Sequence, residues 1–369
     1  NRIFFPKYTG YSRSRSRSSN LLLARSIFRL SSSRTSILKN PRKMEGDYGS
    51  YQVESIVKVA TGRDVIMENP EKYFISQGES PNLRYKLEDG VIIPLSKEAH
   101  FMLTNYYHLE HIIDFWKENG LDFTDVKYRL YFDPINRVTQ EDIPLISLGN
   151  FTIDGRPKMN AAFLAYSLPG KRSFLVFRNS KLEDLPISHN LTIWAHEFGH
   201  NMFDKAFTGR DHTVYQEAED SQKAQYRLSG LNEGCGDYFS STLTDSNLSQ
   251  FYESLAEDLE RTLPVAFNSS DIKEGASFYK WGSVFASTLY EIAQTEGKMT
   301  VAKQLYTALG KLRLDWESVQ RGDDFNFHFI AKRMIDEGAS RGKKDLYCRY
   351  FESRFNDELN LPKIQNYCQ

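Results

Sequence analysis

Two four-residue spacings, carried by separate segments, constrain this chain more than any other feature. In Trp194-Ala195-His196-Glu197-Phe198-Gly199-His200, two histidines stand four apart with a glutamate directly after the first. In Leu231-Asn232-Glu233-Gly234-Cys235-Gly236-Asp237, two carboxylates stand four apart. Residues i and i+4 share one face of an α-helix, so each segment presents a matched pair in one direction if it is helical. Two imidazoles on one face can share a metal ion, and Glu197 is then directed beside the metal rather than at it. A catalytic zinc site takes a third protein ligand and keeps one position open. Glu233 can supply that ligand, and Asp237 can accept the free ring N–H of His196 and fix its tautomer. Any fold that uses both pairs must lay two helices side by side.

Simpler explanations compete with this one. Two histidines can share a helix face by chance, and an acidic pair can be a solvated stripe. Tyr238, Phe239 and the small residues around Glu233 argue against the stripe. Cys235 is a rival thiolate ligand, but on a helix it points away from the Glu233 face.

His196-Glu197-x-x-His200 followed by Asn232-Glu233-x-x-x-Asp237 resembles the gluzincin metallopeptidases, and most of all their thermolysin-like branch. The resemblance spans roughly residues 97–310 and is strong over the two motifs. It implies a zincin-like, two-lobed fold with a Zn2+ cofactor, and a peptide or protein substrate. It also implies an extracytoplasmic or secreted location. Asn105-Tyr106-Tyr107-His108-Leu109 resembles the helix that opens the catalytic region in that branch. Asn160-Ala161-Ala162-Phe163 resembles its edge strand, which makes Asn160 and Ala161 substrate-binding candidates. An ordinary edge strand is the alternative. Val214-Tyr215-Gln216 resembles the place of the tyrosine that steadies the transition state, with His212 as a rival in the same loop.

There are departures from the family pattern. The interval between His200 and Glu233 is longer than in thermolysin, which implies an extra loop. No histidine matches the family's second transition-state donor. His328 comes too late, and Tyr279, before Trp281-Gly282, is the nearest substitute. The family's calcium-binding acids are not evident, and Glu217, Glu219 and Asp220 read better as a solvated acidic loop. His108 and His111 lack a third ligand and are expected at a surface or interface. Met67-Glu68-Asn69 is similar to the substrate-amine motif of zinc aminopeptidases, but lies far upstream and reads as coincidence.

Charge and patterning supply the frame. Lys plus Arg number 47 against 48 Asp plus Glu, so no net field points to nucleic acid or an anionic membrane. No apolar run is long enough for a transmembrane helix. Residues 1–43 are rich in Arg and Ser and contain no acid, which fits a disordered or targeting segment. Residues 44–187 read as a β-rich N-terminal lobe. It contains one amphipathic helix, with Leu103, Tyr106, Tyr107, Ile113 and Trp116 on its apolar face and Gly120 at its end. A hairpin is expected from Asn160–Leu168 to Ser173–Phe177. Residues 188–369 read as a helical lobe, with helices near 189–207, 230–243, 248–263, 277–296, 298–312 and 326–337. Ser188 is a candidate cap for the first and Gly209 a candidate stop. This order of elements gives an α+β fold. Of the three cysteines, Cys348 and Cys368 are either free or paired with each other.

Three functions are compatible with these residues. The leading one is zinc-dependent cleavage of internal peptide bonds, with Glu197 as general base. An aminopeptidase of the same clan would need an acidic pocket for the substrate amine, which no motif supplies. A catalytically silent scaffold could keep zinc for structure, but would have no need of Glu197.

Overall fold

The computed structural model describes residues 38–53, 78–88, 91–132, 191–208, 222–250, 261–273, 275–316 and 325–369, with short strands in the intervals. The chain is mixed α/β and mostly helical, with small sheets. The largest sheet has six strands: β1 (Leu38–Asn40), β2 (Glu45–Gly46), β3 (Gly49–Gln52), β4 (Tyr128–Phe132), β5 (Ala161–Leu168) and β6 (Lys171–Val176), in the order β5-β6-β4-β3-β2-β1. β5 and β6 form the expected antiparallel hairpin, with Ala161 opposite Val176 and Leu168 opposite Lys171. β6 and β3 both run parallel to β4. β1 lies inside the Arg- and Ser-rich segment drawn to residue 43, and pairs antiparallel with β2.

Local chemistry explains where the helices begin and end. α1 (Lys97–Glu118) starts where the Ser96 side chain accepts a hydrogen bond from Ala99 N at 3.1 Å. Glu98 in its first turn and Lys117 in its last complement the helix dipole, and Gly120 leaves it at φ +85°. Leu103, Tyr106, Ile113 and Trp116 are buried, as the amphipathic pattern expects, and Tyr107 is half-buried. His108 is buried rather than at the surface, and the His111 ring stacks on Tyr107 at 6.2 Å.

After residue 190 helices dominate: α2 (Leu191–Phe203), α3 (Gln222–Thr244), α4 (Phe278–Glu296), α5 (Lys298–Leu314), α6 (Phe327–Ala339), α7 (Lys344–Arg354) and α8 (Leu361–Cys368). α2 runs on into a π-helical turn, Asp204–Thr208. α3 is central, packing against α2 on one side and α4 on the other. Its Leu228, Leu231, Cys235, Tyr238 and Phe239 are fully buried. Cys348 and Cys368 form a disulfide that ties α7 to α8. Arg354, at the end of α7, donates to Glu291 Oε1 and Oε2 at 2.7 and 2.8 Å and to the carbonyl of Val265 at 2.8 Å, anchoring the approach to α4.

The helix expected at 248–263 is a correction. Leu248–Gln250 and Arg261–Thr262 are paired antiparallel strands at the two ends of that range. Asp245 takes φ +50° directly after α3, which ends the helical path, and Pro264 cannot donate to a continuing helix. Residues 251–260 lie outside the described residues. α7 and α8 are additions to the expected helices.

One buried acid near the sheet gives stability a pH dependence. Glu110, on α1, is pushed up to about 8 by burial, and then by the neighbouring Asp114 and Asp47 carboxylates. Asp114 accepts the Tyr48 hydroxyl at 2.7 Å. Folded Glu110 therefore binds its proton more tightly than it does in the unfolded chain. The stability this supplies is complete below about pH 4.5 and is lost as pH rises through about 8. Glu110→Gln removes the titration, so the fall in Tm between pH 6 and pH 9 should be smaller than in the wild-type protein. Equal slopes in the two proteins would contradict the assignment.

Candidate metal centre

The site is built where α2 crosses α3. His196 and His200 lie one turn apart on α2, with ring centroids 4.6 Å apart and planes at 86°. Glu233 reaches between them from α3, with Oε2 3.3 Å from His196 Nε2 and Oε1 3.8 Å from His200 Nε2. The donor atoms of His196, His200 and Glu233 all lie within 4.8 Å of one another, so the three residues could hold a metal ion. Two ligands of a tetrahedral zinc, each about 2.0–2.1 Å from the ion, are separated by about 3.3 Å. The His196–Glu233 separation of 3.3 Å matches that value, and the His200–Glu233 separation of 3.8 Å is wider.

Both imidazoles are held from behind by α3. His196 Nδ1 lies 2.9 Å from Asp237 Oδ1, the contact anticipated from the second motif. His200 Nδ1 lies 2.9 Å from Asn232 Oδ1. Asn232 is a contact of His200 to which the motif had assigned no role. Its position beside Glu233 was a usable signal, because a second imidazole needs a second acceptor as much as the first does. With Nδ1 facing these oxygens, each ring turns Nε2 toward Glu233.

Burial alone would pull the His196 pKa down. Its contacts with Asp237 and Glu233 outweigh burial and hold it up at about 9. His196 is 2% exposed and Asp237 0%, whereas the side chains of His200 and Glu233 are 13% and 16% exposed. The group is thus buried at His196 and Asp237 and half-buried at His200 and Glu233.

Glycines set the distance between the helices. A Cβ on Gly199 would stand 2.7 Å from the Gly236 Cα, so the α2 and α3 backbones touch at this crossing. α3 and α4 meet in the same way, since a Cβ on Gly282 would stand 2.7 Å from the Gly230 carbonyl oxygen and 3.1 Å from Glu233 Cβ. Glu233 is therefore backed by α4 while it faces α2.

The other expected site residues divide into two groups. Glu197 is half-buried on α2 directly after His196. Tyr279 is exposed on the first turn of α4, its ring 4.4 Å from that of Phe278, one turn before the Gly282 contact with Glu233. The backbone of Ala161 opens β5, the terminal strand of the sheet, and β5 lies against α2. Asn160, Tyr215 and His212 lie outside the described residues, as do Ser188, Gly209, Met67-Glu68-Asn69 and the acids Glu217, Glu219 and Asp220. Cys235 is fully buried, and burial and then Asp237 push its thiol well above the usual range, which disfavours a thiolate ligand.

The Asp237 contact makes a direct prediction. Asp237→Asn preserves shape but weakens the acceptor behind His196, so zinc affinity should fall on the order of 10–100-fold. Competition with a chromophoric chelator would measure it. Wild-type affinity would remove Asp237 from the site.

No protein-family model matches the chain, and no curated protein matches its sequence. Among the described residues, no helix is long and apolar enough to cross a membrane.

Proposed function

We propose that this protein is a zinc-dependent peptidase that cleaves internal peptide bonds, with a two-lobed, zincin-like arrangement around the site. The observation that carries the reading is the His196/His200/Glu233 group, with the half-buried Glu197 next to His196 in the α2 sequence. Bound there, zinc would polarise the scissile carbonyl and lower the pKa of water. His196, His200 and Glu233 are the residues that would hold it.

The chain's own groups supply the rest of the chemistry. Glu197 accepts a proton from the attacking water and delivers it to the leaving amine. Asp237 and Asn232 keep the two imidazoles in one tautomer and one orientation. β5 offers the end of a sheet against which an extended peptide can lie as an added strand, with Ala161 at its start and Asn160, next to it in sequence, as the companion candidate. Tyr215 donates to the developing oxyanion, and Tyr279 is the candidate second donor. A site built around a general base favours catalysis over a scaffold role, since a closed structural site has no use for Glu197.

Substrate class is tested by comparing a quenched peptide cleaved internally with an aminoacyl-coumarin. Cleavage of the internal bond alone, abolished by o-phenanthroline, is the expected result. Preference for the aminoacyl compound would make the protein an aminopeptidase. Cleavage of neither by zinc-loaded protein would favour the scaffold.

A further inference from the structure

We propose that Gly236 is a positioning residue for the metal centre, and that its missing side chain seats the His196 ring. The inference rests on reading the triad as a zinc site. A Cβ on Gly236 would stand 2.8 Å from His196 Cε1, 2.9 Å from Nδ1 and 3.2 Å from Nε2. Three of the five ring atoms thus lie closer to that point than ordinary van der Waals contact allows. The imidazole lies directly over the Gly236 backbone, in the space a side chain would fill.

The ring has no tolerable way to yield. Its Nδ1 is fixed at 2.9 Å from Asp237, the next residue along α3, and its Nε2 faces Glu233, three residues back on the same helix. Asp237, Gly236 and Glu233 therefore hold the ring from one helix, as partner, seat and co-ligand. His196 itself is almost fully buried. Restoring normal contact with a Cβ would shift the ring by about half an ångström or more. Zinc–nitrogen distances vary by only about 0.2 Å around 2.0–2.1 Å, so such a shift is large on the scale that matters. The Gly199 contact with Gly236 explains why the ring sits so low, because it brings the two helix backbones together at this point.

The same reasoning distinguishes Gly236 from a glycine that only packs. A Cβ on Gly338 would meet the Tyr347 ring at 2.5 Å, an equally severe collision, but α6 and α7 carry none of the metal-binding group. Gly338→Ala therefore controls for overpacking without touching the site.

The test measures affinity for Zn2+ by chelator competition and the visible spectrum with Co2+, on wild-type, Gly236→Ala and Gly338→Ala proteins. Melting of each metal-free form reports folding. Both variants should melt lower than wild type. Only Gly236→Ala should lose zinc affinity, on the order of 10–100-fold, as when an orienting partner is removed. Its Co2+ bands should shift because the ring approaches the ion differently. Wild-type affinity in Gly236→Ala, or an equal loss in Gly338→Ala, would overturn the role of Gly236 while leaving the zinc site intact. A wild-type protein that binds no zinc would overturn both. If Gly236→Ala does not fold, Gly199→Ala takes its place, since it forces the same crossing apart. A loss of affinity there supports the seat, and an unchanged affinity overturns it.

Discussion

Glu197→Gln is expected to lower peptide hydrolysis by about 10²- to 10⁴-fold while zinc stays bound. The substitution removes the only group in the His-Glu-x-x-His segment that can accept a proton from water without serving as a ligand. It leaves His196, His200 and Glu233 in place, so the metal-binding group keeps its geometry. Glutamine is close in size to glutamate, and residue 197 is only half-buried, so folding should change little. Thermal melting would separate loss of chemistry from loss of fold. A variant that cleaves at near-wild-type rate would deprive Glu197 of its role as base. A variant that loses its zinc would make Glu197 a determinant of the metal site instead.

The second large effect is the converse. Glu233→Ala should abolish retention of zinc under dialysis, and activity with it, because the site falls from three protein ligands to two. The geometry makes this loss hard to repair. Glu233 is the member of the group that faces both imidazoles, at 3.3 and 3.8 Å. Gly282 presses behind its Cβ, so α4 cannot easily offer a replacement side chain. Cys235 is buried on another face of α3 and carries a thiol that resists ionisation. Elemental analysis after dialysis would show near-zero occupancy if Glu233 is the third ligand. Full occupancy would require a ligand other than the three named here.

How far the site could be read from sequence follows from what helical spacing encodes. The pairs at 196/200 and 233/237 fix which side chains share a face, and the structure brings His196, His200, Glu233 and Asp237 together. Spacing does not encode how closely two helices approach, and that is where the reading fell short. A helix was expected near 230–243, so Gly230 stood at its start. In fact Gly230 is inside the helix, where a Cβ would stand 3.0 Å from the Phe278 carbonyl oxygen. A residue that looks like a breaker in one dimension serves as a contact in three. Gly199, Gly236 and Gly282 were passed over for the same reason.

The segment at 248–263 failed differently. Its apolar residues recur at three- and four-residue steps, yet its two ends pair as strands, held in part by Leu263 N donating to Asn247 O at 2.7 Å. That long-range bond has no local signature. The hairpin of β5 and β6, by contrast, was legible because two apolar runs separated by Pro169-Gly170 are a local sequence signal for strand pairing. Pairing of Cys348 with Cys368 stayed open for want of a local rule, since connectivity depends on how α7 and α8 lie together.

The central claim is that the group on α2 and α3 holds a catalytic zinc. The most direct measurement is a zinc titration of metal-depleted protein, read by the rate of cleavage of a quenched internal peptide. The account predicts no cleavage without metal and a linear rise that saturates at about one zinc per chain. Cleavage by the fully metal-depleted protein, or a rate that stays at zero as zinc fills the site, would contradict it.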